Sequence, residues 1–438
     1  MAGAPFSLVC KYNHTWVKPL AMNHVVQTIP SYWHTAALLV VVIGLGQTRL
    51  AAEPAAVGYT TRISHHFPCP EESYWFQARA TAIPGKLVGD SAGDGPRVLL
   101  TMQPHGMMGT HNYKGIVSAI SDDLGKTWQG PTHHEALDLR EEGGEEGQFY
   151  EVPVDGTPLY HPATGKVLLL GATFHVDKKT NKDVPKGPSD VFYAVYDPKT
   201  NQWDAWQILA FPSSFKWPYK RAGCVQCVVE SNGDLLLPFY FGEHNNSIHY
   251  AAVARCTFDG TTLKYLEHGT ELMVPTGRGM NEPSLARFEG RYFLTMRNDN
   301  TAYVSTSDNG IDFDSPELWK FDNGEEIGSY NTQQHFVTHS DALFLVYTRR
   351  GLDNDDVMRH RAPLVMAQVD PVTCRLLRKT EQIVVPKEGD AAMGNFGVCD
   401  IGPKSTWIVV AKRSKTPGEK NVVISQIEWD RPNRLVQE

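Results

Sequence analysis

The sequence has little from which to build helices: no long stretch of its 438 residues repeats apolar positions at the helical period. It also lacks a basic surplus. Lys and Arg number 41 against 49 Asp and Glu, a net charge of −8, and a chain that grips phosphate backbones needs a basic face, so nucleic acid is excluded as a partner. A small anion is not excluded, because it responds to local arginines rather than to bulk charge. The chain has no apolar run that spans a bilayer comfortably, since the longest, Thr35 to Gly46, has the length of a signal-peptide core. Cys224-Val225-Gln226-Cys227 looks like half of a zinc knuckle, but no second CxxC or HxxxH follows it, so no metal site is assigned there.

Residues 1–52 do not belong to the globule that follows. They carry Lys11, Lys18 and Arg49 but no acid, and Leu50-Ala51-Ala52 offers a cleavage site ahead of Glu53-Pro54. They are expected to be a signal peptide, whose start can equally be Met22, with an uncleaved anchor as the alternative. Cleavage after Ala52 would move the net charge from −8 to −8 − 3 = −11. The body, residues 53–438, is expected to be secreted or periplasmic, with no stable membrane association once the signal is gone. Its six cysteines, Cys69, Cys224, Cys227, Cys256, Cys374 and Cys399, would then meet an oxidising compartment, where one or two disulfides can form but cannot be paired from sequence.

What is present is turns and short strands: Gly 37, Pro 28 and 10% aromatics. A turn followed by an apolar strand recurs through the whole body. Asp94-Gly95 leads into Val98–Gln103, Thr164-Gly165 into Val167–Gly171, and Asn232-Gly233 into Leu235–Phe241. Glu289-Gly290, Ser340-Asp341 and Gly402-Pro403 do the same for Tyr292, Ala342–Tyr347 and Trp407–Ala411. The six markers lie 70, 68, 57, 51 and 62 residues apart, the length of a four-stranded unit with loops. Six antiparallel units without helices predict an all-β six-bladed β-propeller in a single domain, closed by the strand Val57 to Ile63 joining the last blade.

The hairpin Met280 to Asn298 delivers a carboxylate and a guanidinium to one end of a sheet. Ser284–Phe288 and Arg291–Arg297 are predicted strands joined at Glu289-Gly290. Because the strands run antiparallel, Glu282 and Arg297 at the open end lie side by side. An ion pair on a sheet rim is the plain reading; a site is the sharper one.

Two of the outer strands end in a distinct turn. Ser121-Asp122-Asp123-Leu124-Gly125-Lys126-Thr127-Trp128 fits S-x-D-x-G-x-T-W, and Ser307-Asp308-Asn309-Gly310 through Phe313 is a looser copy. In such turns an Asp carboxylate accepts backbone N–H groups, Gly takes a positive φ and the aromatic tucks beneath. Asp123, Gly125, Trp128, Asp308, Gly310 and Phe313 are therefore structural. With these turns the chain resembles the sialidase (neuraminidase) superfamily over residues 70–430, whose members are six-bladed propellers marked by Asp-boxes. The resemblance implies an exo-acting glycoside hydrolase in which three arginines hold the sugar carboxylate. Arg79, in Arg79-Ala80-Thr81-Ala82-Ile83-Pro84, matches the first, Arg297 the second and Arg361 the third, with Glu282 as the catalytic Glu. Planar, permanently charged guanidiniums suit a carboxylate in a partly dry pocket.

The family's acid/base Asp falls where this chain reads Gly109-Thr110-His111-Asn112-Tyr113, and its Tyr falls where the chain reads Gly394-Asn395-Phe396-Gly397-Val398. Neither carboxylate nor phenol stands there. His105 and His111 offer acid/base imidazoles in their place, and Glu151 a second carboxylate beside Glu282. Asn112, His161, Gln226 and Tyr347 are candidate substrate-binding residues. The rival readings are a uronate-directed lyase or glycosidase using His, and a glycan-binding propeller without turnover. The expected partner is a glycan, the expected state a monomer, and no cofactor is required, although the glutamates of residues 141–146 would suit calcium.

Overall fold

The computed structural model describes residues 57–69, 72–85, 95–106, 113–142, 148–180, 182–184, 187–416 and 418–436, and residues 54–438 form one compact unit. Among the described residues, no helix is long and apolar enough to cross a membrane. The signal-like segment lies outside the described residues.

Six separate sheets, antiparallel except for the short parallel pair Lys320–Phe321 with Arg375–Leu376, follow one another along the chain, and we number them as blades. Blade 1 begins with Ser73–Ile83 and Arg97–Gly106, blade 2 with Phe149–His161 and Lys166–Asp177. Blade 3 is built on Tyr219–Arg221, Val228–Val229 and Leu235–Gly242, and blade 4 on Asn281–Phe288 and Arg291–Arg297. Blades 5 and 6 open with His335–His339 and Ala342–Tyr347, and with Phe396–Gly402 and Ser405–Ala411. All six hairpins expected from the turn-and-strand repeat are present. Tyr59–His66 pairs with Val422–Trp429 from register Tyr59↔Trp429 to His66↔Val422, so the first strand of the body completes the last blade.

The second strand of each blade reads as an unbroken apolar run because both of its faces are covered. Leu235–Gly242 is buried at every residue, as expected of a strand packed on both sides rather than half-exposed. Each blade junction accordingly has a core cluster of its own, and a smaller one with Tyr113, Val154 and Ala172 adds to that between blades 1 and 2. Leu99, Leu169 and Trp206 fill the space between blades 1 and 2, Leu237 and Val195 that between 2 and 3, and Leu294 and Leu236 that between 3 and 4. Phe293 and Leu345 join blades 4 and 5, Phe344 and Ile408 join 5 and 6, and Trp407 and Leu100 close 6 onto 1. Each fully buried large apolar side chain contributes on the order of 1.5–3 kcal/mol. The ring therefore depends on six apolar seams of similar make-up.

The Ser121–Trp128 turn is built as the sequence predicts. Asp123 accepts from Thr127 N at 2.9 Å and from Thr127 Oγ1 at 2.6 Å, and Gly125 sits at φ +80° where a Cβ would meet the Trp407 ring at 2.9 Å. Trp128 packs edge-on against Phe67. The second turn corrects one assignment. Asp308 is exposed, and the accepting side chain is Asn309, whose Oδ1 takes the N–H groups of Ile311 and Asp312 at 3.1 and 2.8 Å. Gly310 (φ +82°) and buried Phe313 keep their predicted places. All six cysteines of the body are free thiols.

Candidate active site

Within or just ahead of the inner strands, five of the six blades place a non-glycine residue in the left-handed region. These are Gln77 (φ 52°), Asp155 (59°), Cys224 (61°), Glu282 (44°) and Asn331 (47°). In blades 1, 2 and 4 the residue sits in a β-bulge, between Phe76 and Arg79, Val154 and Thr157, and Asn281 and Ser284. A bulge turns a side chain out of the regular alternation and re-aims it. Non-glycine residues at positive φ cost about 1–3 kcal/mol and gather at functional sites. Three of them are linked directly. Gln77 Nε2 donates to Asp155 Oδ1 at 2.8 Å, Cys224 N donates to Asp155 O at 3.3 Å, and Cys224 Sγ lies 3.6 Å from Gln77 Oε1.

Glu282 meets Arg297 across the open end of the blade 4 hairpin, Oε2 to Nη1 at 3.3 Å. Asn281, beside it, is fixed by His249 Nδ1 at 2.6 Å, and His249 is itself stacked on Tyr219. Arg361 leaves the loop of blade 5 and donates from Nε to Thr332 Oγ1 at 3.0 Å and from Nη2 to Asn331 O at 2.8 Å. Burial, with Arg297 beside it, pushes the Arg361 guanidinium down to about 9; Arg359 adds to the effect and Glu282 opposes it. Arg278 is matched by Asp299 at 2.9 Å. Among the described residues no carboxylate is matched to Arg359 or Arg361, and the buried Nε of Arg297 has no hydrogen-bond partner. The mouth of the ring therefore carries more guanidinium than carboxylate.

Arg79 departs from its expected role. Its five N–H groups go to Phe396 O (3.3 Å), Asp155 O (3.0 Å), Gly156 O (3.3 Å), Gln333 Oε1 (3.1 Å) and Gln77 Oε1. A guanidinium has five donors, so none is left for a sugar carboxylate. Arg79 is 1% exposed and ties blades 1, 2, 5 and 6 together at the axis. The Gly394–Val398 stretch also gains a physical reason. A Cβ at Gly394 would lie 2.7 Å from Arg361 Cδ, and one at Gly397 would lie 2.7 Å from Arg79 Cγ, so these glycines make room for two arginine stems.

Several other predicted residues sit away from the ring. His105 is fully buried in blade 1, stacked on Tyr74 at 4.7 Å with Nδ1 2.7 Å from Gly106 O, and packs as a core aromatic. His161 is at the hairpin end of its strand, with its ring nitrogens on Thr164 Oγ1 and Gly233 O. Tyr347 gives its hydroxyl to Glu381, which sits just ahead of the strand Gln382–Val385. Gln226 bonds both main-chain groups of Phe336 at 2.8 Å and acts as a tie between blades. Glu151 is buried, opposite Arg140 and His175 in the ladder. His111 and Asn112 lie outside the described residues, as does most of the 141–146 loop. Its described residue Glu141 pairs with Lys178 at 2.9 Å, and among the described residues no cluster of three or more metal-ligating side chains occurs.

The ring brings in residues that the sequence did not single out. Arg221, fully buried, holds Asp155 Oδ2 at 2.8 Å and donates from Nε to the Tyr240 hydroxyl at 2.9 Å. Burial drives the Tyr240 phenol well above its usual range, with Arg221 opposing and Glu282 adding to the rise. The Cys224 thiol is pushed up to about 12, first by burial and then by Asp155, and so stays protonated. His335 is pushed down to about 3 by burial and Arg79, which makes it a neutral link between Ser284 and Gln333.

No family model and no curated protein matches the chain. Solved structures match its fold. A protein of unknown function from Dyadobacter fermentans is 15% identical, with 84% of this chain and 99% of that one covered and a TM-score of 0.56. The Trypanosoma rangeli sialidase in complex with 2,3-difluorosialic acid is 16% identical over 85% of this chain and 60% of its own, TM-score 0.57. The K499G mutant of NanB sialidase from Streptococcus pneumoniae is 12% identical over 83% and 70%, TM-score 0.57. The chain thus spans less than two thirds of the trypanosomal enzyme. The fold is a sialidase-like six-bladed β-propeller.

Proposed function

We propose that this propeller is an exported glycoside hydrolase of sialidase type that takes a carboxylate-bearing sugar at the mouth of its ring. The supporting observation is the unmatched positive charge there. Arg361, pressed toward neutrality by burial, Arg297 and Arg359, would be relieved by a bound carboxylate, which a guanidinium grips through two parallel bonds. Glu282 lies against the same cluster and is the carboxylate placed to act on the sugar. The grip is assigned to Arg297, Arg361 and Arg359, with Arg79 as scaffold. His105 being packed among aromatics removes one of the imidazoles a lyase would need.

The experiment is incubation of the native and Glu282→Gln proteins with a sialoside panel and a uronate oligosaccharide panel, following free sugar acid and, separately, the ultraviolet absorbance of an unsaturated uronate. Native turnover with release of free acid is expected, together with a loss of two or more orders of magnitude in kcat for Glu282→Gln at unchanged melting temperature. Turnover in that variant close to native would take Glu282 out of the site. An absorbing product would replace hydrolysis by elimination.

A further inference from the structure

Beside the ring a shallow groove runs between blades 6 and 1. It is lined by Gln77, Arg361 and Asn395, which belong to the ring's mouth, and by Arg413, Trp75, Phe76 and Met358. The composition of this wall is unusual for a seam between blades. Trp75 and Phe76 are half-buried, Met358 is 45% exposed, and two guanidiniums share the groove.

Arg413 is held in place without being neutralised. Its main chain bridges to Ala392, N to O at 3.2 Å and O to N at 2.9 Å, and its guanidinium lies over the Tyr74 ring, 4.9 Å from the centroid. Tyr74 is buried and stacked on His105, so the platform beneath the cation is rigid. A cation resting on a ring face keeps its outward N–H groups available to an anion. Among the described residues no carboxylate is paired with it. Arg361, in the same lining, is likewise unmatched.

We infer that the site continues along this groove into a second subsite, centred on Arg413, for another acidic sugar, so that the ligand is an oligosaccharide carrying at least two carboxylates rather than a single terminal acid. The inference rests on the reading of Arg361 as a carboxylate grip and deepens it. The chemistry of the wall fits a saccharide: Trp75, Phe76 and Met358 offer apolar surface to the C–H face of a sugar ring, while the amides of Gln77 and Asn395 and the two guanidiniums meet its hydroxyl and carboxylate edges. Two unmatched cations lining one groove beside an apolar wall favour a ligand with two carboxylates over one with a single acid.

The test is calorimetric titration of the Glu282→Gln protein, and of the same protein carrying Arg413→Gln or Arg361→Gln, with three probes: an acidic monosaccharide glycoside, a disaccharide with one acid, and a disaccharide with two. The two-acid probe is expected to bind about tenfold or more tighter than the others. Arg413→Gln should reduce it to their level while leaving the monosaccharide within about twofold, and Arg361→Gln should weaken all three. If Arg413→Gln changes nothing while Arg361→Gln still weakens the monosaccharide, the groove is inert and this inference falls, with the carboxylate reading intact. If none of the acidic probes binds the otherwise intact protein, both fall.

Discussion

At Arg79 the geometry separates holding a fold from holding a substrate. A buried cation is costly unless every N–H finds an acceptor, and here five acceptors from blades 1, 2, 5 and 6 surround it. Arg361 has neighbours of its own sign and lies at the mouth, so the two arginines should fail differently when changed. Arg79→Lys keeps the charge but supplies three donors in place of five, so at least two of these hydrogen bonds are lost, at about 0.5–1.5 kcal/mol each. Its melting temperature should fall by several degrees, while the protein that remains folded binds an acidic sugar within about threefold of native. Native-like melting with lost binding would return Arg79 to the substrate. Thermal scans and titration on one preparation decide between these outcomes.

The hairpins and turns were the legible part of the sequence because their causes are local. A positive-φ turn pair followed by a doubly buried strand leaves a mark at a fixed place. The ring left no such mark. Gln77, Asp155, Cys224 and Asn331 hold left-handed conformations without glycine, the first two in bulges that depend on the neighbouring strand, and Arg221 comes from a strand of three residues, Tyr219–Arg221. The register slip between Phe76 and Arg79 also decides which side chain faces the mouth: Gln77 does, and Arg79 is drawn beneath. Glu282 and Arg297 were visible because a tight hairpin brings its open ends together whatever surrounds it. The two outer turns give the same lesson at smaller cost. Asn309→Ala removes two accepted N–H bonds and should destabilise by about 1 kcal/mol, while Asp308→Ala, exposed and one residue earlier, should stay within about 0.5 kcal/mol of native. Urea denaturation of the two variants checks the assignment, and the reverse order of stabilities would restore Asp308 as the turn's acceptor.

For the molecule as a whole, six blades around an axis leave space along that axis that no single blade can fill. Beyond the ring lies a cavity of ≈ 180 Å³ whose walls come from blades 1, 2, 3 and 6, among them Thr81, Thr157, Gln226, Cys227, Cys399 and Asp400. Asp400 accepts from Thr406 Oγ1 at 2.7 Å, and burial raises its carboxyl to about 6 against the partial relief of that bond. The sign of the linkage follows. An unfolded Asp ionises near 3.9, so between about pH 4 and pH 6 the folded chain binds the extra proton and stability falls as pH rises. Below that window the carboxyl is neutral in both states and costs nothing; above it the full penalty applies. Asp400→Asn keeps an oxygen for Thr406 and removes the ionisation. Its melting temperature should exceed native by about 2–4 °C at pH 8 and match it at pH 4. An equal gain at both pH values would mean that packing, not charge, sets the cost of this position. A loss at pH 8 would mean that the ionised carboxylate is favourably placed in the axial cavity.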